Sequence, residues 1–255
     1  MGGNVLQKRR VGLTDIEVSL IGLGTVKFGR NKQVKYPTAF NLPSDDEIKN
    51  LLSIAKELNI NLLDTAPAYG ISEERLGKLL QDRHDWIIST KAGEEFIDDQ
   101  SYFNFSAESI QKSIERSLKR LKTDYLDIVL IHSNGDDERL IQEEKVFDTM
   151  ERMKETGKIR AFGMSTKTVS GGLLTIKHAD VAMVTFNPDY LHERKVIHAA
   201  HQHQKSIFVK KALGSGHLSA AEAMPFVCKE PGVTSVIVGT INAQHLRDNV
   251  EAVNK

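Results

Sequence analysis

Short apolar runs alternate with amphipathic segments along nearly the whole 255-residue chain. Helical spacing of apolar residues, together with start and stop signals, predicts helices over 44–58, 72–81, 106–121, 138–156, 168–178, 193–204, 219–229 and 242–253. The apolar runs are Ser19–Gly24, Asn61–Asp64, Trp86–Thr90, Leu126–Ile131, Ile159–Gly163, Val181–Phe186, Ile207–Val209 and Ser235–Val238. This alternation is typical of parallel strands joined by helical crossovers, because such strands are buried on both faces.

Eight strand and helix units, with no linker or shift in composition between them, favour a closed (β/α)8 TIM barrel over an open doubly wound sheet. We expect residues 1–255 to form a single α/β domain, because the length is near that of a complete barrel. Residues 5–18 carry Gly12-Leu13-Thr14-Asp15 between β-prone pieces, which predicts an N-terminal β-hairpin covering the bottom of the barrel. Little sequence lies between Gly216 and the last strand, so shortened loops are expected at the mouth.

The charge of the chain is balanced, with 34 Lys and Arg residues against 34 Asp and Glu residues. This balance argues against nucleic acid or an anionic membrane as a partner. The single cysteine, Cys228, excludes an internal disulfide framework, and its apolar surroundings predict a buried small side chain. Because neither a signal peptide nor a membrane-spanning stretch is visible, we expect a cytoplasmic protein that is a monomer or a small homo-oligomer.

Polar side chains follow several of the predicted strands at the point where each strand ends. In a (β/α)8 barrel the C-terminal ends of all strands meet at one mouth, and function collects there. Each of these residues could be structural when taken alone, but their common position favours a shared site. The residues are Asp64, Tyr69, Lys91, His132, Ser165 and Asn187.

Four of these side chains match the chemistry of carbonyl reduction. Transfer of a hydride to a carbonyl requires an acid that protonates the developing alkoxide. Tyr69 is a weak acid, with an ordinary pKa of about 10, and a neighbouring Lys91 is expected to lower that pKa. Asp64 can pair with Lys91, and His132 can orient the substrate oxygen. The sequence therefore predicts Asp64, Tyr69, Lys91 and His132 as the catalytic group for a small carbonyl substrate.

The chain resembles the aldo-keto reductase superfamily in motifs spread over nearly its whole length. The matching segments are GLGT at 22–25, LDTAPAYG at 63–70, STK at 89–91, IH at 131–132, GMS at 163–165, FN at 186–187, LGSG at 213–216, and VGT followed by LRDN within 238–249. The resemblance implies a nicotinamide-dependent oxidoreductase with Tyr69 as general acid and no metal. It implies NADP(H), favoured over NAD(H), bound by Gly24, Thr25, Asp64, Ser165, Asn187, Lys210, Leu213, Ser215, Gly239, Thr240, His245 and Asn249.

Some positions depart from the pattern of that superfamily. Thr166 stands where an asparagine is common, and Met183 stands where a glutamine often contacts the nicotinamide carboxamide. Lys210 falls near a position where many members stack a tyrosine on the nicotinamide ring. Only His245 and Arg247 are available near the expected 2′-phosphate. These departures concern the cofactor side of the site.

Other functions suggested by the sequence are less consistent with it. A Rossmann fingerprint fails because Lys27 occupies its third glycine position, and His198, His201 and His203 are better explained as a solvated helix face than as metal ligands. A Schiff-base aldolase could use Lys91, Lys210 or Lys211, but it does not explain Tyr69 and His132. A regulatory protein that binds NADP(H) with little turnover remains an alternative.

Overall fold

The computed structural model describes residues 6–253, and within them parallel strands close a barrel. The strands are β1 Lys8–Arg10, β2 Glu17–Ser19, β3 Ile21–Gly24, β4 Leu62–Asp64, β5 Ile87–Ala92, β6 Glu94–Ile97, β7 Gln100–Phe103, β8 Leu126–His132, β9 Ile159–Ser165, β10 Val181–Thr185, β11 Ser206–Lys210 and β12 Val233–Val238. Strands β3, β4, β5, β8, β9, β10, β11 and β12 pair in this order, and β12 pairs back with β3. The predicted (β/α)8 barrel is confirmed.

Helices follow the barrel strands and cover their outer faces. They are α1 Val26–Gly29, α2 Asp45–Glu57, α3 Ser72–Leu79, α4 Ala107–Leu121, α5 Asp137–Gln142, α6 Val146–Glu155, α7 Val169–His178, α8 Arg194–Gln202, α9 Ala220–Cys228 and α10 Ala243–Val253. Helix α2 begins in a capping box, in which Ser44 Oγ accepts from the Glu47 N–H and the Glu47 carboxylate accepts from the Ser44 N–H. Within residues 6–253, no helix combines the length and the apolar composition needed to cross a bilayer.

The single helix predicted over 138–156 is wrong, because this segment forms two helices. Helix α5 ends at Gln142, and α6 begins at Val146 after Lys145, whose φ of 51° is left-handed. Both helices bury apolar side chains, among them Leu140 and Phe147. The apolar spacing therefore continues from α5 into α6, so the sequence gives no sign of the break between the two helices.

An N-terminal hairpin fills the bottom of the barrel, as predicted. Strands β1 and β2 pair antiparallel, and the buried side chains of Val11, Ile16 and Val18 pack with Leu62 and Ile128 from the barrel interior. The predicted first strand, Ser19–Gly24, was too long, because Ser19 pairs with Lys8 in the hairpin. Val5, at the start of the predicted hairpin, lies outside the described residues.

A second hairpin at the barrel mouth was not predicted. Strands β6 and β7 follow β5 directly and pair antiparallel, with Asp98 and Asp99 at positive φ in the turn. Gly93 joins β5 to β6 at φ +100°, and a Cβ there would lie 2.5 Å from the ring of Phe105. This hairpin brings Glu94 to the mouth of the barrel.

Candidate active site

A cavity of about 1170 Å³ opens at the C-terminal ends of the barrel strands. This volume is above the usual range of small-molecule sites, roughly 300–1,000 Å³, and leaves room for a large ligand together with a small one. The cavity brings together residues from every part of the predicted site. Its wall includes Gly24, Asp64, Tyr69, Lys91, His132, Ser165, Asn187, Lys210, Leu213, Ser215, Gly239, Thr240, His245 and Asn249.

Thr25 is the one predicted site residue outside the cavity wall. Its fully buried hydroxyl donates to the Asp64 carbonyl at 2.9 Å and accepts from Ser72 Oγ at 2.8 Å. Thr25 therefore positions the backbone of Asp64 from below and has no free surface for a ligand.

Asp64 and Lys91 form a buried ion pair at the floor of the cavity. Lys91 Nζ lies 2.8 Å from both carboxylate oxygens of Asp64 and donates to the Thr65 carbonyl at 2.9 Å. Asp64 ends β4 and Lys91 lies within β5, and these two strands are neighbours in the barrel. All three ammonium protons of Lys91 are bonded, so its charge is held in one place.

Tyr69 lies above this pair, at the end of a 3₁₀ turn over Pro67–Tyr69. Lys91 Nζ is 4.8 Å from the centroid of the Tyr69 ring. Burial raises the pKa of Tyr69 well above 10, and the carboxylates of Asp64 and Glu94 raise it further. The net lowering expected from Lys91 is not found, because burial and these carboxylates dominate. Tyr69 is therefore a protonated phenol at neutral pH.

His132 ends β8 and contacts a carboxylate that the sequence did not reveal. Its Nδ1 lies 2.7 Å from Glu94 Oε2, and Ser101 Oγ donates to Glu94 Oε1 at 2.6 Å. Burial opposes ionisation of Glu94, but the hydrogen bond and charge of His132 prevail and lower its pKa to about 2. Burial lowers the pKa of His132 below 6.5, and Glu94 offsets this only in part.

Lys210 reaches into the opposite side of the cavity from the end of β11. Its Nζ donates to Ser165 Oγ at 2.9 Å and to the Thr166 carbonyl at 2.7 Å. Burial lowers the pKa of Lys210 to about 8, although the Glu193 carboxylate acts against this. Because Ser165 Oγ accepts from Lys210, its own proton is available to a ligand.

Asn187 is bonded to the backbone on both sides of its amide. Its Nδ2 donates to the Lys211 carbonyl at 2.9 Å, and its Oδ1 accepts from the Asp189 N–H at 3.0 Å. Asn187 therefore fixes the loop after β11 as well as lining the cavity.

The far end of the cavity is formed by the loop after β11 and the start of α10. Gly214, Ser215 and Gly216 have φ values of 54°, 62° and 101°, and this left-handed turn brings the loop across the groove. Asp248 lines this end, whereas Arg247 contacts Glu57 at 3.1 Å outside it.

The family model of the aldo/keto reductase family matches residues 20–225, which run from the first barrel strand into α9. The chain belongs to the aldo-keto reductase family. A solved structure from Pseudomonas aeruginosa, assigned to the aldo-keto reductases, is 48% identical, with a TM-score of 0.90, and the match covers 96% of this chain and 94% of that one.

Two relatives from Bacillus subtilis extend the comparison with this aldo-keto reductase. The uncharacterized oxidoreductase YqkF is 26% identical over 98% of this chain and 92% of its own length. Aldo-keto reductase YhdN is 32% identical over 72% of this chain and 54% of its own length. The protein is accordingly an oxidoreductase that acts on carbonyl compounds.

The structure argues against Lys91 as a Schiff-base lysine and against a metal site at the histidines of α8. Lys91 is unsuited to Schiff-base chemistry because its three protons are bonded and its charge is paired. His198 on α8 contacts Glu230 at 2.8 Å on the outside of the barrel. Across residues 6–253, no group of three or more His, Cys, Asp or Glu side chains is arranged to bind a metal ion. Cys228 is buried, and burial raises the pKa of its thiol to about 12.

Proposed function

We propose that this aldo-keto reductase reduces an aldehyde or ketone to an alcohol, with NAD(P)H as the reductant and Tyr69 as the general acid. The observation that carries the proposal is the buried Asp64–Lys91 pair directly below Tyr69, with His132 across the same cavity. The rings of Tyr69 and His132 meet edge to face, with centroids 6.3 Å apart. A substrate oxygen placed between the Tyr69 hydroxyl and the His132 ring would contact both side chains.

The size of the cavity and the lysines in its wall support the proposal of a nicotinamide dinucleotide as its ligand. A Cβ at Gly24 would lie 3.0 Å from Ile237, and one at Gly239 would lie 2.6 Å from the Tyr36 hydroxyl, so both glycines permit close packing at the cavity wall. Lys27, Lys35 and Lys211 line the wall and would attract a diphosphate. The residues that would bind the cofactor are Gly24, Ser165, Asn187, Lys210, Leu213, Ser215, Gly239, Thr240, His245 and Asn249.

The side chains around the substrate divide the proton chemistry between them. The bound reduced nicotinamide supplies a hydride. Tyr69 carries its proton at neutral pH, as a phenol with a pKa of about 10 or above does, and it donates that proton as negative charge develops on the substrate oxygen. Lys91, 4.8 Å from the ring centroid, then stabilises the phenolate. Asp64 holds the Lys91 ammonium in position throughout.

We propose NADP(H) as the preferred cofactor, with His245 and Arg247 contacting the 2′-phosphate. His245 lines the cavity, and the exposed Arg247–Glu57 pair is weak enough to be exchanged for a phosphate contact. Asp248 lines the same end and opposes a phosphate. We therefore expect a modest preference over NAD(H), roughly tenfold at most.

A cofactor titration followed by turnover assays tests this function. NADPH and NADH are titrated against the quenching of Trp86 fluorescence, and both are then assayed with a panel of aldehydes and ketones. Binding at micromolar concentrations, with turnover of carbonyl compounds, supports the proposal. Tight cofactor binding without turnover of any panel member favours a regulatory NADP(H)-binding protein instead.

A further inference from the structure

The Lys210 side chain crosses the end of one barrel strand to reach the strand beyond it. Strand β10 lies between β11 and β9. Lys210, the last residue of β11, nevertheless donates to Ser165 Oγ at 2.9 Å and to the Thr166 carbonyl at 2.7 Å, both at the end of β9. Ser165 is the register partner of His132 on the neighbouring strand β8. The Lys210 ammonium therefore lies close to the proposed catalytic group.

This ammonium keeps one of its donors free. A lysine ammonium has three N–H donors, and Ser165 and Thr166 accept from two of them. Among residues 6–253 the third donor has no partner, and no carboxylate lies within ion-pair distance of Nζ. Lys91 differs, because all three of its donors are bonded and two of them meet the carboxylate of Asp64.

The charged groups around Lys210 come from several elements and leave its ammonium uncompensated. Burial lowers the pKa of Lys210 to about 8, Glu193 and Asp137 act against this, and Lys211 and Lys91 act with it. The carboxylate of Glu193, just before α8, accepts from a backbone N–H of β10 at 2.8 Å. Asp137, at the start of α5, accepts from two backbone N–H groups and two hydroxyls. Both carboxylates are thus engaged with other donors.

A nicotinamide ring that delivers a hydride would lie beside this ammonium. Reacting atoms have to approach within roughly 3–3.5 Å of each other. The substrate oxygen is proposed to lie between Tyr69 and His132, so the ring has to occupy the adjoining part of the cavity. Ser165 and Lys210 form the wall there. This placement rests on the proposed reduction of carbonyls.

Hydride transfer changes the charge of the nicotinamide ring. The reduced ring is neutral, and it becomes a cation when the hydrogen leaves with two electrons. The hydride forms the new C–H bond at the carbonyl carbon, and Tyr69 supplies the proton to the oxygen. A neighbouring ammonium repels the oxidised ring and not the reduced one. The phosphates are the same in both forms, so a lysine that binds only phosphate cannot distinguish them.

We propose that Lys210 makes the cofactor site select the reduced over the oxidised nicotinamide. Under this proposal NADPH binds in preference to NADP⁺, and NADP⁺ is released readily after hydride transfer. Lys210 is then a specificity-determining residue for the redox state of the cofactor, and its effect is on binding.

The selection is measured as the ratio of two dissociation constants, that of NADP⁺ divided by that of NADPH, by isothermal titration calorimetry at pH 7.0. We expect the ratio to fall by roughly tenfold in K210M, because the repulsion of the oxidised ring is lost. A tenfold fall lowers the midpoint potential of the bound two-electron couple by about 30 mV. K210R retains the positive charge and should retain most of the wild-type ratio.

The matched control is K211M. Lys211 is the next residue and lines the same cavity, but it does not contact Ser165 or Thr166. We expect both cofactors to bind K211M more weakly, with a ratio within about twofold of the wild type, since the phosphates are common to both. If K210M also weakens both cofactors equally, Lys210 contacts phosphate or only supports the fold, and the proposal is overturned.

A pH series separates Lys210 from the other groups that face the ring. From pH 7 to 9.5, His132 stays neutral because burial lowers its pKa below 6.5, and Tyr69 stays protonated because burial raises its pKa well above 10. Lys210 loses its proton in this window. We expect the ratio to fall with pH in wild type and K211M and to stay level in K210M. The same pH dependence in wild type and K210M would overturn the proposal.

The outcomes separate a failure of this selection from a failure of the proposed function. If neither NADPH nor NADP⁺ binds at millimolar concentrations, the proposed use of a nicotinamide cofactor fails, and the selection fails with it. If both bind and the ratio is the same in wild type and K210M, only the selection by Lys210 fails.

Discussion

The two sides of the barrel mouth differ in whether their buried basic side chains are paired with carboxylates. On the side formed by β4, β5 and β8, Lys91 is paired with Asp64 at 2.8 Å, and His132 lies 2.7 Å from Glu94. On the side formed by β11, Lys210 donates only to the neutral oxygens of Ser165 and Thr166. In the described part of the chain, no carboxylate lies within ion-pair distance of Lys210 Nζ.

This difference shows that, within one site, pairing with a carboxylate decides how strongly burial shifts the pKa of a buried basic group. A paired charge keeps its ionisation because the partner compensates for the loss of water. Without a partner, burial brings the pKa of Lys210 to about 8, close to neutral pH. The paired side suits acid–base chemistry with fixed roles, and the β11 side can respond to the charge of a bound cofactor.

Replacing Tyr69 by phenylalanine breaks the chemistry of the paired side while leaving the β11 side intact. We expect kcat/KM for a carbonyl substrate to fall by about 10²- to 10⁴-fold, because the proton donor is lost. The dissociation constant of NADPH should change by less than about twofold, as measured by fluorescence titration. Retention of the wild-type kcat would show that another group is the acid.

The variant D64N tests whether pairing stabilises the buried lysine. It leaves Lys91 charged without its partner, and we expect the free energy of unfolding to fall by roughly 3–5 kcal/mol in urea denaturation. The double variant D64N/K91M removes both charges and should lose less than the sum of the two single variants. Strictly additive losses would mean that the pair is not coupled.

The variant K210M tests the unpaired side through the pH dependence of stability. Between pH 8 and 10.5 the unfolded chain binds more protons at this lysine than the folded chain does, because burial lowers the folded pKa to about 8. Stability of the wild type relative to K210M should therefore rise across this window, by at most about 3 kcal/mol. Parallel unfolding curves for the two proteins over pH 8–10.5 would place Lys210 in contact with water.

The smallest effect is expected at the far end of the cofactor side. The variant D248N removes a carboxylate from the end of the cavity near His245. We expect the ratio of NADPH to NADH affinity to rise by about two- to fivefold, since the charge is exposed and screened. D46N, which removes an exposed carboxylate on α2, should leave the ratio unchanged. An unchanged ratio in D248N would place the 2′-phosphate elsewhere.

The barrel strands were predictable because each must be buried on both faces. Runs such as Ile128–Ile131 contain only apolar residues, because a parallel strand in the barrel is buried on both faces. The β6–β7 hairpin has no such requirement, because Tyr102 and Phe103 on β7 are largely exposed. Its main local signal is the turn at Asp98 and Asp99, both at positive φ. Glu94 was missed for this reason.

The proposed acid was identifiable from the sequence, but the direction of its pKa shift was not. Lys91 by itself would lower the pKa of Tyr69, and the motif contains both residues. In the folded chain, burial and the carboxylates of Asp64 and Glu94 dominate, so the pKa rises instead. The direction of a pKa shift depends on the distances between charged groups and on the exclusion of water, and the residue types alone specify neither.

The sequence by itself determined the barrel, its bottom hairpin and the set of polar residues at the strand ends, because periodicity and strand direction are local properties of the chain. Only the tertiary structure decided how those residues are charged. It paired Asp64 with Lys91, placed Glu94 against His132 and, among the described residues, left Lys210 without a carboxylate at ion-pair distance. These outcomes depend on contacts between distant segments, and on how completely those contacts remove each group from water.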